Sequence, residues 1–147
     1  MKKPWGVMEK LATKRLTELR GSVNKVEAKI ADLEARKAQI LVLVAQNSER
    51  LSGKGQACSM GEVQVVTVFL RNLGLALQGT QLEISALEEE REHLKSQVHE
   101  KFKEKKKMSS LIEREEKLEK RKLAHREERE LNAAGIQAFL TKKAAES

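Results

Sequence analysis

Between residues 16 and 51 the apolar positions fall on alternating steps of three and four. They are Leu16, Leu19, Val23, Val26, Ile30, Leu33, Ile40, Val44 and Leu51, with Lys37 and Asn47 as the polar members of the row. The same count resumes as Val63, Val66, Leu70, Leu73, Leu77, Ile84, Leu87, Leu94 and Val98, interrupted by Thr80 and Arg91. A mean step of about 3.5 keeps every such residue on one stripe of an α-helix, and three or four heptads of it are enough to specify a coiled coil. Both rows run longer than that. The chain is read as two helices packed along one seam.

Between the rows, Ser52-Gly53-Lys54-Gly55-Gln56-Ala57-Cys58-Ser59-Met60-Gly61 holds three of the eight glycines. Ser59-Met60-Gly61-Glu62 has capping-box spacing, in which the serine hydroxyl takes the Glu62 amide and opens a helix. The single proline, Pro4, is tolerated in a first turn and nowhere deeper. These signals predict one all-α unit over residues 1–147, a long antiparallel two-helix coiled-coil hairpin. Its expected parts are a helix over about 4–51, a turn over 52–60 and a longer helix over about 60–140. A short turn makes the arms antiparallel, so position i faces roughly 114 − i.

Past residue 105 the row loses its regularity: Met108, Leu111, Ile112, Leu118, Leu123 and Leu131 fit no clean heptad. The stretch 113–130 is dense in charge, with Glu113–Lys117 and Glu116–Lys120 at the i,i+4 spacing that supports a solvated helix. That arm is expected to be helical, partly unpaired and ordered with a partner. Residues 142–147 are expected to fray.

Composition narrows the class. Charged residues make up 35% and aromatics 3%, with Trp5, Phe69, Phe102 and Phe139 as the whole aromatic set. A compact enzyme recruits more aromatic area for its core, whereas this mixture suits long helices. One cysteine, Cys58, forms no internal disulfide framework and fits a reducing compartment. No secretory signal follows Met1, and no stretch is expected to reach the roughly 18 apolar residues of a membrane span. The expected location is the cytoplasm.

Chemistry is sparse. His93, His99 and His125 lie on the charged helix without metal-ligand spacing, and Cys58 has no histidine near it. Gly53-Lys54-Gly55 lacks the remainder of a phosphate loop. Carboxylates abound, but an extended hairpin offers no concave pocket in which two could converge. No catalytic residue, cofactor or metal is expected, and the chain is read as a non-enzyme.

Two features exceed a plain coiled coil. Ile40-Leu41-Val42-Leu43-Val44-Ala45 is apolar all round the helix, and Val63, Val65, Val66, Val68, Phe69, Leu70, Leu73, Leu75, Ala76 and Leu77 spill outside a single seam. By the pairing rule both zones fall at one level and form an apolar collar, which marks an interaction site. A local strand over Val63–Val68, or self-association, would also cover it. The second feature is charge. Residues 1–20 carry six basic side chains against two acidic, residues 101–107 five lysines against Glu104, and residues 81–100 six glutamates against Arg91 and Lys95. The two basic segments meet at the open end, which points to an acidic partner. Nucleic acid is disfavoured, because the basic residues are interleaved with glutamates and aromatic stacking surface is scarce.

The segment Phe69-Leu70-Arg71-Asn72-Leu73-Gly74-Leu75-Ala76-Leu77-Gln78-Gly79-Thr80 just after the turn resembles the FliJ family. So do Leu111-Ile112-Glu113-Arg114 and the closing Arg126-Glu127-Glu128-Arg129-Glu130-Leu131-Asn132, and the likeness runs from about residue 9 to 140. These are small proteins of the flagellar type III export apparatus, with relatives in injectisomes. The resemblance implies a part like the central stalk of a rotary ATPase, docked in the hexameric export ATPase, touching the membrane protein of the export gate and cycling export chaperones. Membrane association would be peripheral, through partners. The family's gate-binding stripe falls on Phe69, Leu73, Ala76 and Thr80, the last departing from the family's histidine. The basic end then suits an acidic face of the ATPase, with Lys10, Lys14, Arg15, Lys103, Lys105, Lys106 and Lys107 as candidates. The alternative is a coiled-coil scaffold or dimerising adaptor, whose collar closes a four-helix assembly.

Overall fold

The computed structural model describes residues 4–53 and 59–146, and they form two helices, α1 (Trp5–Leu51) and α2 (Met60–Glu146). Cys58, Lys2, Lys3 and the middle of the expected turn lie outside the described residues. The start of α1 is the first turn at Pro4, whose carbonyl accepts the Met8 amide at 3.1 Å. Its end is Gly53, at φ 70°, a left-handed conformation that a side chain resists and glycine takes without penalty. There the Ser52 amide donates to the Ser48 carbonyl and its hydroxyl to the Glu49 carbonyl. Ser59 opens α2 as the capping spacing predicts, its Oγ accepting the Glu62 amide at 3.2 Å. No part of Val63–Val68 is strand, and α2 runs about six residues past its expected end, helical through Glu146.

Two compact units divide the chain, one over Arg15–Lys101 and one made of the segments Met1–Lys14 and Phe102–Ser147. The first is the antiparallel hairpin. Leu16, Leu19, Val26, Ile30, Leu33, Ile40 and Asn47 of α1 are buried, as are Val66, Leu73, Thr80 and Ile84 of α2, and Ile84 is fully enclosed. All belong to the two seam rows, with Val23, Val44, Val63, Leu70, Leu77, Leu87, Arg91, Leu94 and Val98 half-buried between them. Three polar seam members have hydrogen-bond partners, whereas Arg91 Nε is buried without one. Asn47 Nδ2 donates to the Leu43 carbonyl at 2.7 Å, Thr80 Oγ1 to the Ala76 carbonyl at 2.8 Å, and Lys37 Nζ to Gln81 Oε1 at 2.9 Å across the pair. Lys95 and Glu27, 3.9 Å apart, mark the side on which both helices present their heptad e positions.

In the second unit the seam outlasts its apolar chemistry. Lys105, Met108, Ile112 and Glu115 are half-buried on continuing steps of three and four, and on α1 so are Trp5 and Glu9, with Ala12 buried. The geometric heptad therefore persists through residues that the hydrophobic count scores as breaks. Long charged side chains cover the neighbouring helix with their stems and keep their heads in water. From Glu116 to Glu146 every residue is exposed.

Candidate functional site

Among the described residues no three His, Cys, Asp or Glu side chains are placed to share a metal ion. The sites to weigh are surfaces. Seam residues occupy heptad positions a and d, so the outward positions of α2 form a second row on the same spacing: Val65, Val68, Asn72, Leu75, Gly79 and Leu82. Val65, Leu75 and Leu82 are 70, 62 and 72% exposed, and Val68 also points out. Phe69 and Ala76 border this row and are exposed too. By length and composition one 18-residue stretch of α2 is apolar enough to cross a membrane, contrary to the sequence expectation, and little of it is buried. This surface follows the turn, because the later part of α2 is charge-dense.

The four residues of the expected gate stripe are thus divided. Leu73 and Thr80 lie in the seam against α1, whereas Phe69 and Ala76 face outward. Truncating Leu73 would loosen the hairpin as well as any contact, and only Phe69 and Ala76 report on docking alone.

A row of small residues runs along α1 at the same level: Ala28, Ala31, Ala35, Ala38, Val42 and Ala45, all exposed. Leu41 and Leu43 flank it, and Ala38, Gln39, Val42 and Leu43 line a shallow dent of about 490 Å³. The expected collar is spread unevenly around the hairpin. In an antiparallel pair e positions face e and g positions face g. The α1 row occupies b and f and leans to the e side, while the α2 row occupies c and f and leans to the g side. The two rows lean to opposite sides, and Leu43 at g joins Phe69 and Ala76 on the g side that the two helices share. A second three-and-four count outside the seam would have exposed both.

The basic candidates also separate. Lys14, Lys103, Lys106 and Lys107 are exposed, and Lys105 is half-buried on the seam side. Lys10 lines a groove of about 550 Å³ with Pro4, Trp5, Val7, Ile112, Glu115, Glu116 and Glu119, where three carboxylates offset its charge. Arg15, in the hairpin unit, has Nη1 3.5 Å from Glu18 Oε2. The strongest outward cationic set is Lys103, Lys106 and Lys107, on one turn and a half of α2.

The family model described as flagellar FliJ protein matches residues 3–143, nearly the whole chain. The chain belongs to the FliJ family. It is accordingly a non-enzymatic component of the flagellar export apparatus, linked to the export ATPase. No curated protein and no solved structure matches it.

Proposed function

We propose that this FliJ-family hairpin couples the hexameric export ATPase to the cytoplasmic part of the export gate and assists delivery of chaperoned cargo. The observation that supports it is a division of surface chemistry. The hairpin unit presents an outward apolar face around Phe69 and Ala76, and the other unit presents an outward lysine cluster at Lys103, Lys106 and Lys107. Apolar and cationic contacts recognise different partners, and a linker between two machines needs both. In this reading the lysines, with Lys10, Lys14, Arg15 and Lys105, meet an acidic ATPase surface, and Phe69 and Ala76 make the gate contact, with Leu73 and Thr80 behind them in the seam. The protein sits in the cytoplasm, held at the membrane by its partners.

The test uses a cognate export ATPase and the isolated cytoplasmic part of its gate protein. Stimulation of ATP hydrolysis at moderate salt is expected, and Lys103→Glu/Lys106→Glu/Lys107→Glu, all at exposed positions, abolishes it while gate binding persists. Phe69→Ala should weaken gate binding by about tenfold, the scale of an aromatic anchor, and leave stimulation intact. Hydrolysis unchanged by the wild-type chain would overturn the ATPase half, and gate affinity indifferent to Phe69→Ala the other.

A further inference from the structure

The outward row on α2 matches itself. Running two copies of α2 antiparallel, with residue i of one level with about 147 − i of the other, sets Val65 opposite Leu82, Val68 opposite Gly79 and Asn72 opposite Leu75. Each large side chain then meets either a large one at the end of the row or a small one within it. We infer that the free protein forms a two-fold symmetric dimer through the outer face of α2, burying Val65, Val68, Leu75 and Leu82 against the same residues of a second copy.

Three observations favour a second copy over another occupant. First, the register fits the boundaries of the row: Met60, where α2 begins, comes level with Leu87, so the acidic run Glu88-Glu89-Glu90 falls just beyond the paired length. A shift of one heptad one way sets Glu89 on Val65, and the other way carries Leu82 past the start of the facing helix. Second, charge does not oppose the pairing. Between Val63 and Leu82 the only ionised side chain is Arg71, which comes level with Ala76 of the second copy, and the bordering Glu62 and Glu83 come level with Ser85 and Gln64. Third, Gly79 has no need within its own chain for a missing side chain: a Cβ there meets nothing within 4 Å. Glycine disfavours a helix interior, and near the end of this row it leaves room for Val68 of the second copy. The row on α1 does not repeat this, since apart from Val42 its members are all alanines.

The pairing covers Phe69 and Ala76 at its border. Dimerisation therefore hides the face that the proposed gate contact uses, and the gate and a second copy compete for it. Self-association keeps the apolar surface of the free protein out of water until a partner displaces it.

Sedimentation equilibrium of the full chain across micromolar concentrations should show a monomer–dimer equilibrium with no larger species. Leu75→Glu/Leu82→Glu should raise the dissociation constant by about a hundredfold or more, because pairing would bury unpartnered carboxylates. Circular dichroism should show unchanged helicity, since both residues are exposed in the hairpin. The control Leu41→Glu/Val42→Glu, on α1, should leave the dimer intact. In a Cys58→Ser background, Val65→Cys/Leu82→Cys should give a disulfide-linked dimer, and Val65→Cys/Leu41→Cys should not give one in the same yield. A monomer at all concentrations, or a dimer lost with the α1 pair and kept with the α2 pair, would overturn the inference. No partner protein is present in this experiment, so its failure leaves the gate proposal standing and is distinct from it.

Discussion

At the scale of single residues, two neighbours on α2 show how one turn of helix divides structure from contact. Leu73 is 8% exposed and Phe69 40%, four residues apart and both in the stripe that the family resemblance singles out. Ile84 marks the structural extreme, with no exposed surface. Removing its side chain to the β-carbon leaves a cavity that two straight helices cannot collapse, so Ile84→Ala should destabilise the hairpin by about 3 kcal/mol. Val68→Ala, outside the seam, should cost under about 0.5 kcal/mol in monomer stability. Urea titrations followed at 222 nm, at concentrations too low for association, separate the two. Equal midpoints would mean that the seam register assigned to α2 is wrong. The heptad count by itself puts Ile84 in the seam, since the burial of a and d positions follows from helical spacing and needs no tertiary information.

At the scale of the elements, the sequence makes the pairing legible and the outward faces only partly so. Antiparallel pairing follows from two long rows and a short turn, but the cross-helix contacts Lys37–Gln81 and Glu27–Lys95 lie four and eight residues from the expected 114 − i pairing. Two things are not legible from apolar counting alone. One is the continuation of the seam through Lys105 and Glu115, where burial keeps its period while hydrophobicity loses it. The other is the side of the hairpin to which each part of the expected collar belongs. Residues 40–45 and 63–77 are apolar on several sides, so their level along the hairpin follows from i and 114 − i only to within one or two turns. The side on which each projects depends on e-to-e and g-to-g juxtaposition, which counting by level omits. Polar seam members show a similar limit. Asn47 satisfies its amide on its own helix, and Arg91 keeps its Nε buried without a hydrogen-bond partner, a difference that residue type alone does not announce.

At the scale of the whole molecule, α2 has 87 residues against 47 in α1, so its last part needs a different source of order from the hairpin. Every residue from Glu116 to Glu146 is exposed, which leaves that arm without a buried apolar face. Most helical stability in proteins comes from such a face; without it, a helix depends on propensity and i,i+4 charge pairs of about 0.3–0.5 kcal/mol each. Glu113–Lys117 and Glu116–Lys120 have that spacing, and the residues around them are strong helix formers. Such a helix melts gradually and weakens as salt screens its pairs, whereas a packed seam melts cooperatively. A chain ending at Glu116 should therefore keep the thermal midpoint of the full protein within about 2 °C, because no buried contact is removed. Subtracting its melting curve at 222 nm from that of the full chain should leave a broad, non-sigmoidal loss that moves to lower temperature at 1 M NaCl. A sigmoidal difference coincident with the hairpin transition would show that the arm packs on the protein in solution. The exposed Leu118, Leu123, Leu131, Ile136, Phe139 and Leu140 give the same arm its capacity for contact, so a bound partner should turn its gradual melt into a cooperative one.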